Sequence, residues 1–287
     1  MSPVDLTDPR ELRRLLARHG VRSARSLGQH FLTDDAVLDA TVRAAELSSA
    51  DDVLEVGPGP GALTRRLAAV ARSVTAVEVD ARMVAVASEA LAGLPSVRIV
   101  HADALAVDLF GLGERLPTRI VANLPYQITS PLLMRFLGDA RRPPLVVVLV
   151  QEEVARRMTA TAADARERSF LSIFVQSFAV PRLVRRVAPG SFQPPPRVSS
   201  AVVALRTLAR PVFAPLDQTA FLRFVSDAFR HRRKQIRAAL GHEAGIDRER
   251  ATAALARVRI APERRPEELS LEEWVRLARE LGVPEAA

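Results

Sequence analysis

Asn123-Leu124-Pro125-Tyr126 follows the apolar run Arg119-Ile120-Val121-Ala122, where a buried strand ends and a loop begins. These residue types suit the capture of a planar base that carries an amine. The Asn123 amide oxygen accepts a hydrogen bond from such an amine. Pro125 fixes the chain direction, which turns nearby backbone carbonyls outward as further acceptors. Tyr126 offers a flat ring for stacking. The same four residues also make an ordinary turn with Tyr in the core. A reagent for the amine elsewhere in the chain distinguishes the two.

Glu55-Val56-Gly57-Pro58-Gly59-Pro60-Gly61 follows the first apolar strand and opens a helix. Glycines there allow a tight turn and close approach of a ligand to the backbone. Gly57, Gly59 and Ala62 also satisfy a relaxed dinucleotide fingerprint. The prolines separate the readings. A pyrophosphate cradle depends on backbone N–H donors, and Pro58 and Pro60 have none. S-adenosyl-L-methionine carries an adenosine without phosphate and suits the loop better. Glu78, 21 residues after Gly57, ends the next strand and is placed to accept from ribose hydroxyls. Asp103, in His101-Ala102-Asp103-Ala104, ends the third strand and is placed to accept from an adenine amino group. Helix capping is the competing role for both acids.

Strands are expected at Val53–Gly57, Val74–Asp80, Val97–Asp103, Arg119–Leu124 and Val146–Gln151. Helical patterns at Ala62–Ala71, Ala81–Ala92 and Ser130–Leu137 lie between them. Continuous Val/Ile/Leu runs separated by helices argue for a parallel sheet covered on both faces. Helices at Glu152–Thr159 and Phe170–Phe178 follow, then strand-like Val180–Val187 and Ser199–Arg206 around a Pro-rich loop, which predicts a closing antiparallel pair. Arg210-Pro211-Val212-Phe213-Ala214-Pro215 reads as a linker. Beyond it all is helix: Thr219–Phe229, Arg232–Leu240, Asp247–Ala256 and Leu271–Leu281, the last opened by a capping box of Ser270 and Glu273.

The chain has 287 residues, 48% of them hydrophobic, enough for a large domain with a small one behind it. It has no cysteine, so disulfides, thiol chemistry and Cys-based metal sites are excluded. A reducing cytosol suits that composition, and the expected location is cytoplasmic. No apolar run reaches the length of a membrane span. Met1 to Arg10 carries two acids and no apolar stretch, so no signal peptide is expected. The net charge is +8, and Lys234 is the only lysine. The cations cluster at Arg10, Arg13, Arg14, Arg18, Arg22 and Arg25, at Arg182, Arg185, Arg186 and Arg197, and at Arg230, Arg232, Arg233, Lys234 and Arg237. Solvated helix faces are the plain explanation of one such cluster; three raise the expectation of a polyanionic partner.

These residues, in this order, resemble the KsgA-type ribosomal RNA adenine N6,N6-dimethyltransferases. The matching stretches are Ser26-Leu27-Gly28-Gln29-His30-Phe31-Leu32, Glu55 to Gly61, Glu78-Val79-Asp80, Asp103-Ala104, Asn123 to Tyr126, Phe192 to Ser200 and Phe229 to Arg237. The resemblance implies an α/β class I S-adenosylmethionine-dependent methyltransferase fold. That fold is a seven-stranded, mostly parallel sheet with a C-terminal antiparallel hairpin, followed by a small all-helical domain. Residues 1–208 are then the S-adenosylmethionine-binding catalytic domain and 209–287 a helical RNA-binding domain. It also implies dimethylation of two adjacent adenines near the 3′ end of 16S rRNA in the 30S subunit and a role in ribosome biogenesis. No metal is expected, and the chain is expected to be a monomer. His30 and Leu32 lie by motif position at the methionine end of the cofactor and Gly57 on its loop side, with Gln29, Glu55, Gly59 and Gly61 as further cofactor-binding residues. Glu78 falls at the ribose, Asp103 and Ala104 at the adenine, and Asn123 between cofactor and target base. The chain departs from the family at His30, where Asn is usual, at Glu152, where Lys is usual, and in 159–168, which lacks a Pro-Gly and Tyr-Gly pattern.

The chemistry this implies is simple. The target adenine leaves its stack and enters the pocket. Tyr126 covers one face, and Phe192 is the candidate for the other, with packing in the hairpin core as its alternative. The Asn123 oxygen and the Leu124 carbonyl accept from N6 and stabilise positive charge as it develops. Three alternatives remain open on sequence: a 23S rRNA adenine methyltransferase of the antibiotic-resistance type, a mainly non-catalytic 30S assembly factor, and a nicotinamide-dependent oxidoreductase.

Overall fold

The computed structural model describes residues 4–21, 30–230, 234–243 and 246–286. The chain forms two compact units, 1–155 with 182–207, and 156–181 with 208–287.

The first unit is a sheet with helices on both faces. In chain order it holds α1 (Pro9–Arg18), β1 (Phe31–Leu32), α2 (Asp35–Ala44), β2 (Asp52–Val56), α3 (Ala62–Ala68), β3 (Ser73–Glu78), α4 (Ala81–Ala90), β4 (Val97–His101), β5 (Arg119–Asn123), α5 (Thr129–Gly138) and β6 (Leu145–Gln151). After the first residues of α6 (Glu152–Thr159) the chain leaves this unit. It passes through α7 (Phe170–Phe178) and returns within β7 (Ala179–Val187), followed by β8 (Phe192–Gln193) and β9 (Ser200–Thr207).

The seven-stranded sheet has the order β4-β3-β2-β5-β6-β9-β7. β2 pairs in parallel with β3 and β5, β3 with β4, and β5 with β6. β9 pairs antiparallel with β6 and lies beside β7, the strand that the Pro-rich connection joins to it. Every residue of β2 is buried, and so is every residue of β6 but its last. Helices cover both faces, so these strands read as unbroken apolar runs rather than alternating ones. The core joins Val53, Val121, Val147 and Val202 of the sheet to Leu38, Leu63 and Leu67 of the helices.

Strand order reverses between β2 and β5, since β3 and β4 lie to one side and β6 to the other. A crevice opens at the carboxyl ends of the strands at such a point. The glycine loop leaves β2 there, and Asn123 ends β5 there. The strands stop one or two residues short of their expected ends at Gly57, Asp80, Asp103 and Leu124, because the chain turns into the crevice rims at those residues.

A second, two-stranded sheet has no counterpart in the sequence pattern. β1 pairs antiparallel with β8, Phe31 opposite Gln193 and Leu32 opposite Phe192. Each of these strands spans only two positions, too few to show a period.

The second unit is helical: most of α6, then α7, α8 (Gln218–Phe229), α9 (Ile236–Glu243), α10 (Arg248–Arg257) and α11 (Leu271–Glu280). Residues 156–181, expected with the sheet, group instead with these helices. The reason is aromatic packing: Phe174 lies 5.1 Å from Phe178, Phe178 5.5 Å from Phe213, and Phe213 4.8 Å from Phe221. Phe224 and Phe229 each lie 5.8 Å from the fully buried Trp274. α11 begins with the expected capping box, Ser270 Oγ accepting from Glu273 N–H and the Glu273 carboxylate from Ser270 N–H. The helix expected from Arg232 starts at Ile236, with Lys234 and Gln235 outside it. Arg232 and Arg233 lie outside the described residues, as do Arg22 and Arg25.

Candidate active site

A cavity of about 460 Å³ occupies the crevice. Its walls are the loops that follow β2, β3, β4 and β5, with the residues around β1 closing one side. Glu55, Gly57, Gly59, Glu78, Asp103, Ala104, Asn123, Leu124, Pro125, Tyr126, His30 and Leu32 all line it, so residues from five separate stretches of sequence meet in one place. Gln29 lies outside the described residues.

The glycine loop is built for close approach. Gly57, Gly59 and Gly61 have φ of 72°, 55° and 95°. A Cβ at Gly59 would sit 3.2 Å from the Phe31 ring. Gly61 is the N-cap of α3 and does not line the cavity: its missing Cβ makes room for Leu91, which a methyl there would meet at 2.8 Å. It shapes the loop without facing the ligand.

The acids divide by role. Glu78 Oε1 accepts from the N–H groups of Val79 and Asp80 at 2.9 and 3.0 Å. Burial raises its pKa, and hydrogen bonds from the N–H groups of Asp80, Val79 and Gly59 oppose the rise. A carboxylate accepts about four hydrogen bonds, so capacity is left for a ligand. Asp103 is exposed, and its Oδ1 accepts from Leu105 N–H at 2.8 Å, so it caps the turn after β4 as well as rimming the cavity. Glu55 is 1% exposed. Burial pushes its carboxyl up to about 8, the Thr64 hydroxyl opposing and Glu78 adding to the rise. Among the described residues its Oε2 has no hydrogen-bond partner. An orphaned buried carboxyl on a cavity wall costs stability until something fills it. A polar, partly cationic ligand such as S-adenosylmethionine fits a cavity with that lining.

Asn123 ends β5, is half-buried and lines the cavity. Leu124 is held by its N–H to the Leu149 carbonyl at 3.0 Å. The Pro125 carbonyl does not face outward as expected. It accepts from Ile128 N–H at 3.2 Å and from the Thr129 hydroxyl at 3.0 Å, because a helical turn starts at Tyr126. Pro125 instead offers its ring to the gap left by Gly57, 3.5 Å from where a Cβ would be. The Tyr126 hydroxyl is 2.7 Å from Ser200 Oγ, and its ring faces that of His30. Burial raises the phenol pKa, so Tyr126 stays neutral.

Phe192 takes the alternative place expected for it, in the core, rather than a place on the cavity wall. It is 2% exposed, packs in the core cluster with Leu32 and Val187, and does not line the cavity. Its pairing with Leu32 in the small sheet draws it inward. His30 lines the cavity, with its Nδ1 2.8 Å from the Pro194 carbonyl and its ring facing that of Tyr126.

Leu6 and Leu12 are among the lining residues absent from the sequence-based expectations. α1 is capped by Asp8, which accepts from Arg10 and Glu11 N–H. Its Leu12, Leu15 and Leu16 pack with Met83, Val86 and Phe31, leaving Arg10, Arg13, Arg14 and Arg18 exposed. The Leu12/Leu15/Leu16 stripe is the signal that could have found them. Arg65 ties the segment before α1 to the end of α4, donating to the carbonyls of Val4 and Ala90 at 2.5 and 2.6 Å. Of the second cluster, Arg182, Arg185 and Arg186 are exposed on β7, an edge strand of the sheet, and Arg197 is exposed before β9. Glu152, a departure from the family, pairs with Arg186 at 3.5 Å.

Comparison with known proteins agrees with this geometry. Residues 20–282 match the family model described as ribosomal RNA adenine dimethylase. Ribosomal RNA small subunit methyltransferase A of Moorella thermoacetica is 42% identical over 276 residues, 93% of this chain and 95% of that one. The crystal structure of a 23S rRNA methyltransferase, ErmE, is 31% identical with a TM-score of 0.67 over 88% of this chain and 99% of the other. That of a dimethyladenosine transferase from Plasmodium falciparum has a TM-score of 0.77 over 88% and 99%, and at 24% identity it shares the fold. The chain belongs to the ribosomal RNA adenine dimethylase family.

Proposed function

We propose that this protein methylates N6 of two adjacent adenines near the 3′ end of 16S rRNA in the 30S subunit, twice each, during ribosome biogenesis in the cytoplasm. The observation that carries the proposal is the cavity in which the glycine loop, Glu78, Asp103 and Asn123 to Tyr126 meet. Family membership and the small-subunit relatives favour 16S over 23S rRNA.

S-adenosylmethionine, when bound, supplies the electrophilic methyl carbon. Gly57 and Gly59 let it lie close to the backbone. Glu78 accepts from its ribose hydroxyls, Asp103 from its adenine amine, and Leu32 and Ala104 provide apolar wall. Asn123 Oδ1 and the Leu124 carbonyl accept from the two hydrogens of the target N6. Held this way, the nitrogen lone pair is freed from the ring and aimed at the methyl carbon. Facing N6, the same two oxygens stabilise the positive charge as it develops. Tyr126 stacks on the extruded base, and about 1–3 kcal/mol from one aromatic offsets much of the cost of unstacking. No general base is required, because an N6-protonated adenine gives up its proton to water. Residues 209–287, with their basic Arg230 to Arg237 stretch, serve RNA binding, alongside Arg10 to Arg18 and Arg182 to Arg197.

The test is incubation with methyl-tritiated S-adenosylmethionine and unmethylated 30S subunits, followed by nucleoside analysis. Label in N6,N6-dimethyladenosine of 16S rRNA supports the proposal. Label only in 23S rRNA of 50S subunits, or none, refutes it.

A further inference from the structure

Among the described residues, two that are not glycine hold a left-handed backbone: Glu46 at φ 50° and Arg259 at φ 58°. That conformation crowds Cβ against the following carbonyl oxygen and costs stability. The Glu46 side chain has a partner inside the chain, since its carboxylate pairs with Arg206 at 2.6 Å. Arg259 is exposed, and among the described residues its guanidinium has no hydrogen-bond or ion-pair partner.

The turn itself does not require arginine. Arg259 ends α10 by donating its N–H to the Ala256 carbonyl at 3.1 Å, while Ile260 N–H reaches the Leu255 carbonyl at 2.9 Å. α11 ends on the same pair of bonds, from Gly282 to Arg279 at 3.0 Å and from Val283 to Ala278 at 2.9 Å. There glycine takes the left-handed place, at φ 80°, without the crowding. One cap is thus built twice in the helical unit, once unstrained and once with a cation at the strained position.

Arg259 stands in an open depression with Arg257, Arg276 and Arg279. Glu280, the acid on its wall, is ion-paired with Arg257, and Arg279 donates to the Ala214 carbonyl at 3.1 Å. Arg276 is exposed, and among the described residues it donates no hydrogen bond. Cations at the negative ends of helix dipoles are favoured, which accounts for Arg257 and Arg279 in the last turns of α10 and α11. For an exposed side chain that gain is smaller than the left-handed strain, so it does not account for Arg259.

We infer that Arg259 and Arg276 form a phosphate-binding site on the helical unit, and that its ligand is the RNA backbone. A guanidinium fork matches a phosphate in two parallel hydrogen bonds, and both of these forks are unused within the protein. The chain belongs to a family that acts on ribosomal RNA, so RNA is the phosphate polymer it meets. The inference rests on the proposed 30S substrate. It adds a site that lies outside the three basic clusters of the sequence.

R259G and R276A test it in the whole chain with unmethylated 30S subunits. R259G removes the cation and the strain together. The expected result is a higher urea midpoint, a 30S affinity lower by about three- to ten-fold, and a slope of log affinity on log salt shallower by about one. R276A leaves the turn untouched and is expected to lower affinity and slope in the same way. Calorimetry with S-adenosylmethionine is expected to give the parental affinity for both. Unchanged 30S affinity in either variant would overturn the inference, and so would a loss of affinity at unchanged salt slope. A lower urea midpoint for R259G would also overturn it, because the side chain would then serve the fold. Variants that match a parent active on 30S sink this inference alone. A parent that neither binds nor methylates 30S refutes the proposed function with it.

Discussion

At the scale of single residues, Asn123 and Glu55 both line the cavity, and only one of them was legible in full. Asn123 ends β5, as the strand pattern predicts, and lines the cavity. Asn123→Ala removes an oriented acceptor for the target amine, so kcat falls by roughly 10²–10³-fold while 30S binding is retained. Steady-state kinetics with a filter-binding control checks this; a variant with parental kcat would contradict it. Glu55 was readable as a loop residue, but its burial and orphaned oxygen depend on how β2 sits in the sheet. In the folded chain it holds its proton up to about pH 8, against 4.5 when free. Between those values the folded state binds the extra proton, so this group's contribution to stability falls as pH rises from about 4.5 to about 8. Gln has no proton to lose. Glu55→Gln therefore gains melting temperature relative to the parent as the pH is raised through that range. A gap that stays constant between the two proteins would contradict the burial argument. Phe192 shows the opposite limit: an aromatic in a Pro-rich loop looks the same in sequence whether it stacks on a ligand or fills a core.

Elements were legible wherever a run was long enough to show its period. The sheet strands and the helices between them fall within a few residues of expectation, since β2 and β6 are unbroken apolar runs and α11 carries its capping box. The two-residue strands β1 and β8 were invisible, and they decide where His30 and Phe192 point. The placement of 156–181 was hidden for a related reason: α7 reads as an apolar helix, and only its partners among Phe213 and Phe221 reveal which unit it joins. At this scale the turn into α3 depends on Gly61, which is left-handed and packed against Leu91. Gly61→Ala adds backbone strain and a clash, and destabilises the protein by about 1–3 kcal/mol. Urea unfolding measures it, and an unshifted midpoint would contradict the packing described.

For the whole molecule, net charge and its placement set the approach to RNA. Arg182 and Arg197 are exposed on the sheet-bearing unit. Replacing both with Ala weakens 30S binding and makes the dependence of log affinity on log salt shallower, by about one unit of slope for every phosphate no longer neutralised. An unchanged slope would remove this surface from the interface. The composition foretold a polyanionic partner, but not which cations reach it, because exposure is decided by packing.

Crystals of the protein grown with S-adenosylmethionine test the central claim most directly. The methyl donor is expected in the crevice between the loops after β2 and β5, its ribose on Glu78, its adenine amine on Asp103, and its methyl facing the Asn123 amide. A donor bound elsewhere, or an Asn123 side chain turned away from the methyl group, would contradict the mechanism.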